Sequence, residues 1–201
     1  MIYIEYISRR DGANLSDFHR WMSNGLEGWD AGYQEDLLIL AISRTWRLGP
    51  DPEHIAVWDS PRSGFERIDE WDRIFRSGAA DHLEEPLQKV ARIEAAGCYE
   101  ALLPPVPGRE GTYYAEFFRA NGTSSAVRAF YEERKKRHRH LTLNLLAHRI
   151  GRLGPEPGGL AVWTLPNFAA LSEIASELDG VSEPVRMEMA GAYSDVGKEI
   201  I

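Results

Sequence analysis

Cysteine is nearly absent: Cys98 is the single thiol in 201 residues, so no internal disulfide can form and a cysteine-based zinc site is excluded. A reducing, cytoplasmic location is the expectation that follows. Long apolar runs are missing as well. The longest, such as Leu37 to Ile42, fall far short of the ~20 residues that a membrane-spanning helix needs. Positive charge is also scarce. With 23 basic against 31 acidic side chains the formal charge is −8, which repels phosphate backbones and argues against nucleic acid as the main partner. The opening Met1-Ile2-Tyr3-Ile4-Glu5 lacks a basic segment, an apolar stretch and a small-residue cleavage site. It predicts a strand rather than a signal peptide. No Ser-His-Asp elbow, phosphate-binding glycine loop or dinucleotide fingerprint is found, and His138 and His140, two residues apart, carry no metal-ligand signature.

The chain does contain an internal repeat. Arg47-Leu48-Gly49-Pro50 returns as Arg152-Leu153-Gly154-Pro155, and Ala56-Val57-Trp58 returns at the same spacing as Ala161-Val162-Trp163. Upstream, Tyr3-Ile4-Glu5-Tyr6 matches Tyr114-Ala115-Glu116-Phe117. Downstream, Arg92-x-Glu94-x-Ala96-Gly97-x-Tyr99 matches Arg186-x-Glu188-x-Ala190-Gly191-x-Tyr193. The order is the same in both copies, which predicts a first repeat over 1–103, a stiff linker over 104–111 rich in proline and glycine, and a second repeat over 112–201.

Each copy reads as β-α-β-β-α-β. Ile2 to Ser8 and Thr112 to Arg119 alternate with strand period. In the first copy Leu15, Phe18, Met22, Leu26 and Trp29 recur at helical steps, with Asn14 or Ser16 as cap; in the second Val127, Phe130 and Tyr131 follow Ser124. Two strands then meet through the Gly-Pro turn: Leu37 to Arg47 with Ile55 to Asp59, and Leu141 to Arg152 with Leu160 to Thr164. A second helix holds Phe65, Ile68, Trp71 and Phe75, or Phe168, Leu171, Ile174 and Leu178. Last strands run through Tyr99 and Tyr193. Extra residues around Asp81 to Ala91 predict an additional helix, with Pro86 near its start. In the first strands Ile2, Ile4 and Tyr6 point one way and Tyr3, Glu5 and Ile7 the other, so both sheet faces are apolar or aromatic and both need cover. The predicted fold is α+β, two ferredoxin-like units packed sheet to sheet as a pseudo-twofold barrel.

The βαββαβ unit, the strand ending in Trp58-Asp59-Ser60 and the Gly-Pro turn resemble the dimeric α/β-barrel superfamily, and within it the NIPSNAP-like and EthD-like families. The usual dimer would here be fused into one chain. The resemblance implies a small organic ligand, sometimes haem, between sheet and helices, and cofactor-independent oxygenase, decarboxylase or cyclase chemistry on aromatic or polyketide-like compounds. Many relatives carry a histidine late in the first helix. This sequence has Trp21-Met22-Ser23-Asn24-Gly25 there, and Tyr131 to Lys135 in the second copy, with no histidine in either.

Candidate site residues come from the repeat. Glu5 and Glu116 occupy equivalent positions facing the expected interior, where desolvation would tune a carboxylate for acid–base work. Tyr3 and Tyr114 share their face. The alternative is ion pairing with the repeated Arg47 and Arg152. His148 stands where the first copy has Ser43, and with Asn144 four residues earlier it could orient a substrate or move a proton; the alternative is a half-buried structural histidine. His54 opens the third strand. Trp58, Trp163, Tyr99 and Tyr193 could wall an apolar pocket, or simply pack. The run Arg134 to His140 reads as the solvated, cation-rich end of a helix, or as an anion site. These residues support an enzyme of cofactor-independent oxygenase, isomerase or cyclase type acting on an apolar or aromatic metabolite. The alternatives are a haem or metabolite binder and an interaction module with a filled barrel. No cofactor is expected, with haem as the outside case, and the assembly is a monomer or homodimer.

Overall fold

The computed structural model describes residues 1–20, 37–51, 53–60, 65–108 and 111–195. Eight antiparallel strands form one sheet that closes into a barrel. They are β1 (Ile2–Arg9), β2 (Leu37–Arg44), β3 (His54–Asp59), β4 (Ala91–Ala101), β5 (Thr112–Ala120), β6 (Thr142–Arg149), β7 (Gly159–Leu165) and β8 (Val185–Asp195). Around the ring the order is β1-β3-β2-β8-β5-β7-β6-β4. Each half thus contributes four neighbouring strands in equivalent order. The halves join edge to edge, Ile42 to Arg44 pairing with Tyr193 to Asp195 and Tyr99 to Ala101 with Ala147 to Arg149. Among the described strands the closed ring leaves no free sheet edge.

Outside the barrel lie α1 (residues 15–20), α2 (Glu66–Arg76), α3 (Asp81–Val90), α4 (Ser124–Arg137) and α5 (Leu171–Ile174), the last flanked by 3-10 turns at Phe168–Ala170 and Ala175–Leu178. Thr123 caps α4 by accepting from the Ala126 amide. The additional helix expected around Asp81 is α3, with Pro86 in its interior rather than at its start. Of the apolar positions expected along the first helix, Met22, Leu26 and Trp29 lie outside the described residues. Phe65, expected within the second helix, stands just before α2, and both it and Phe75 are exposed. Among the described residues no helix is long and apolar enough to cross a membrane.

Alternation sorts the strands into two faces, and the inner one is a packed core. Ile2, Ile4 and Tyr6 of β1 meet Ile55 and Val57 of β3, Tyr113, Ala115 and Phe117 of β5, and Leu160 and Val162 of β7. Eight strands leave an interior just wide enough for side chains to fill. Tyr99 and Tyr193 lie inside with no exposed surface, and the Tyr6 and Tyr99 hydroxyls are 3.0 Å apart. The linker bridges one mouth of this barrel. The Val106 amide donates to Asn144 of β6, and the Gly108 amide donates to Ile39 of β2, on the opposite wall.

The repeated turn and the repeated Ala-Gly-x-Tyr motif exist for each other. The tip of the β2–β3 hairpin folds onto β8, where the Ala192 amide donates to Leu48. The β6–β7 tip folds onto β4, where the Cys98 amide donates to Leu153. These contacts bring backbones so close that a Cβ on Gly49 would lie 2.8 Å from the Gly191 Cα, and one on Gly154 would lie 2.9 Å from the Gly97 Cα. Both turn glycines also hold positive φ, 149° and 144°. Arg44 and Arg149, rather than the repeated Arg47 and Arg152, clamp the turns by donating to the Gly49 and Gly154 carbonyls at 2.9 and 2.7 Å.

Candidate functional site

The predicted carboxylates, Glu5 and Glu116, do not face the barrel interior. They point outward to the helix layer, because the purely apolar partition of β1 and β5 fills the inside. On this outer face Tyr3 stands opposite Trp58 and Glu5 opposite Ala56; in the second half Tyr114 stands opposite Trp163 and Glu116 opposite Ala161. The indole N–H of each tryptophan donates to its carboxylate, Trp58 to Glu5 at 3.1 Å and Trp163 to Glu116 at 3.3 Å. The same strand geometry therefore builds one carboxylate–indole pair in each half.

What covers each pair differs. Over Glu116, α4 presents Val127, Tyr131 and Arg134, all buried. Arg134 donates to both oxygens of Glu116, at 2.8 and 2.9 Å, and through Nε to Glu177 at 2.9 Å. Neither Glu116 nor Arg134 has exposed surface. Burial pulls the Arg134 pKa down, but the hydrogen bonds and charge of Glu116 outweigh it and hold the guanidinium above its ordinary range. The arginine partner anticipated for Glu116 was Arg152. That residue is exposed on the β6–β7 turn, as Arg47 is on the β2–β3 turn, because the hairpin tips fold over the neighbouring strands instead of lying in the sheet. Arg134 comes from the basic run read as a solvated helix end. Its position three residues after Tyr131 and seven after Val127 puts it on the buried stripe of the helix, a signal present in the sequence.

Among the described residues no cation pairs with Glu5. It is half-buried, and among the described residues Trp58 is its hydrogen-bond partner. Burial pushes its carboxyl up to about 7, with the Trp58 hydrogen bond pulling the other way. Around it, Tyr3 lies 4.6 Å from the Trp71 ring of α2 and stands opposite Cys98 of β4. Burial raises both the Tyr3 phenol and the Cys98 thiol.

The remaining candidates disperse. Tyr99 and Tyr193 lie inside the barrel while Trp58 and Trp163 lie outside it, so the four aromatics do not wall one pocket. Asn144 and His148 do not act together. A bulge between Leu143 and Leu145 breaks the alternation, and Asn144 is tied to the linker carbonyl of Val106 at 3.1 Å and to the Thr164 hydroxyl at 2.6 Å. His148 is half-buried opposite Gly159, over which the Phe118 ring lies. His54 occupies the complementary place in the first half, opposite Ser43, with Ile7 replacing the phenylalanine. Its ring is fully buried against Phe18 at 3.9 Å, and among the described residues neither nitrogen has a hydrogen-bond partner. Burial lowers its pKa to about 3, helped by His19, Arg9 and Arg44, so the ring is neutral.

A haem would need an axial ligand on one of these faces. Phe18 stacks on His54, and in the second half Tyr131, Arg134 and Trp163 fill the layer between sheet and α4. The described residues do not fit that group. Among them, no cluster of three or more His, Cys, Asp or Glu could hold a metal ion.

No family model matches the sequence, and no curated protein matches it. Among solved structures, the crystal structure described as "Putative Chlorite dismutase TA0507" aligns over 98% of this chain and 95% of its own, with a TM-score of 0.49 and 14% identity. That likeness is too distant to speak to chemistry.

Proposed function

We propose that this chain is a small-molecule protein of the dimeric α/β-barrel type, fused by tandem duplication of the units 1–103 and 112–201, with its working site on the Glu5 face of the first half. In this reading it is an enzyme of cofactor-independent oxygenase, isomerase or cyclase type. Glu5 takes and returns a proton on a metabolite with an apolar or aromatic body. Non-catalytic binding of such a metabolite at the same face is the second reading.

The observation that supports this site is the contrast between two equivalent carboxylates. Glu116 has both oxygens engaged by Arg134 and is sealed from solvent, which suits a structural role. Glu5 keeps the tryptophan, and among the described residues no arginine pairs with it. A carboxyl near 7 is present in both protonation states around neutral pH, the condition for a group that works as base and then as acid. Tyr3, Trp58 and Trp71 supply the aromatic surface that a small-molecule site ordinarily offers.

The test is to identify by native mass spectrometry the small molecule that co-purifies, then to follow deuterium exchange from solvent into it. Glu5→Gln is expected to slow exchange by about 10²–10⁴-fold while binding persists. Unchanged exchange in Glu5→Gln removes Glu5 from the chemistry. Tight binding with no exchange in the wild type selects the non-catalytic reading.

A further inference from the structure

Two arginines close β1 at places where the second half has none. Arg9 pairs with Ala91 as Ala120 pairs with Val185, and the Arg10 amide donates to Val90 as the Asn121 amide donates to Pro184. The second half closes this corner on itself. The Asn121 side chain donates to the Ser182 carbonyl at 2.8 Å, and Arg119, at the place of Ser8, lies 3.6 Å from Glu188. In the first half the corner is open. A cleft of about 230 Å³ lies there, lined by Arg9, Arg10, Asp11, Arg92 and Glu94.

The charges of this cleft do not cancel. Arg92 holds Glu94 through Nε at 2.9 Å, and that bond keeps the Glu94 carboxyl below its ordinary range. Arg9 donates to the Ala13 carbonyl, and Arg10 donates through Nε to the Ala91 carbonyl at 3.2 Å. Among the described residues neither guanidinium makes an ion pair. Arg9 and Arg10 thus face Asp11, the lining carboxylate that Arg92 does not hold, in a chain whose formal charge is −8. Burial lowers both His19 and His54, and the charge of Arg9 lowers them further.

Volume and the number of guanidinium forks decide what fits. Pockets that enclose drug-sized molecules run about 300–1,000 Å³, so this cleft suits a head group. One fork satisfies the two oxygens of a carboxylate, whereas two forks from successive residues call for the further oxygens of a phosphate. We propose that the Arg9–Arg10 cleft binds a phosphate dianion, free or as the head group of a small phosphomonoester, with both guanidinia as its donors. Glu5 does not line this cleft, so the inference stands apart from the reading of that carboxylate.

Nitrogen-15 NMR of the full chain, following the arginine Nε–H resonances at constant ionic strength, tests this with inorganic phosphate, methyl phosphate and acetate. Both phosphates are expected to shift Arg9 and Arg10 saturably, and the tighter of the two identifies the form taken, free ion or ester. Arg9→Gln and Arg10→Gln, at exposed positions and checked for fold by circular dichroism, should each weaken binding about tenfold or more, and Asp11→Asn should tighten it. Arg128→Gln removes the same charge from an exposed position of α4 and should change nothing. An equal loss in Arg128→Gln means that net charge alone attracts the ion, and overturns the proposal. Saturation that Arg9→Gln and Arg10→Gln leave intact overturns it too, as does no saturation at millimolar phosphate or methyl phosphate. Acetate binding as tight as that of either phosphate overturns the assignment to phosphate.

Discussion

Replacing Arg134 by alanine removes the partner of a carboxylate that has no contact with water. Glu116 would keep the Trp163 indole at 3.3 Å, and Glu177 would lose the Nε donor at 2.9 Å. Breaking a buried pair by deleting one partner costs about 3–5 kcal/mol, because the surviving charge is left desolvated or must take up a proton. For a chain of this length each kcal/mol moves the melting temperature by roughly 2–4 °C, so the fall expected is about 6–20 °C. Urea denaturation followed by tryptophan fluorescence gives the free energy directly. Glu116→Gln combined with Arg134→Met removes both charges at similar volume and is expected to recover most of the loss. The result that refutes the reasoning is an Arg134→Ala loss under about 1 kcal/mol, the size of an exposed ion pair.

Three further outcomes follow from the same geometry. Glu5 is pushed up to about 7 in the folded chain, so the folded state holds a proton that the unfolded state has released. Stability therefore falls as pH rises from about 4.3 to 7, by on the order of 1–3 kcal/mol, and Glu5→Gln flattens that part of the profile in pH-dependent urea denaturation. Gly154→Ala places a Cβ against the Gly97 backbone at positive φ, whereas Gly151→Ala meets open space at φ 58°. Thermal melts should show the first as the more damaging, the second costing about 1 kcal/mol. Trp46 sits at φ 52°, 89% exposed, where the second half has Gly151. Trp46→Gly relieves that backbone and is expected to leave the denaturation midpoint unchanged or raised.

How far the sequence carried can be seen at β1. Its alternation divides Ile2, Ile4 and Tyr6 from Tyr3, Glu5 and Ile7, and the structure keeps that division. Which set faced inward was not legible, because both faces of this sheet are covered, one by the opposite wall and one by helices. Period two gives a partition without a sign. The α+β class and the strand segments were readable because turn residues punctuate them. The ends of β2 and β6 were not: both hairpin tips leave the sheet at Arg44 and Arg149 to dock on β8 and β4, a tertiary contact that no local pattern reports. Arg134 was readable from helical spacing, yet its place in a basic run hid it. The displacement of Asn144 from the His148 face needed the bulge, and a bulge in an apolar strand leaves no mark in composition.

The central claim is that two equivalent carboxylates have diverged, Glu116 tied to an arginine and Glu5 left to act. A titration of the Glu5 side-chain carboxyl by carbon-13 NMR, with Glu5→Gln to assign the resonance, tests it most directly. The account predicts a midpoint near 7. A midpoint in the ordinary glutamate range, about 4.3, would mean that Glu5 is solvated or paired like any surface carboxylate, and would contradict it.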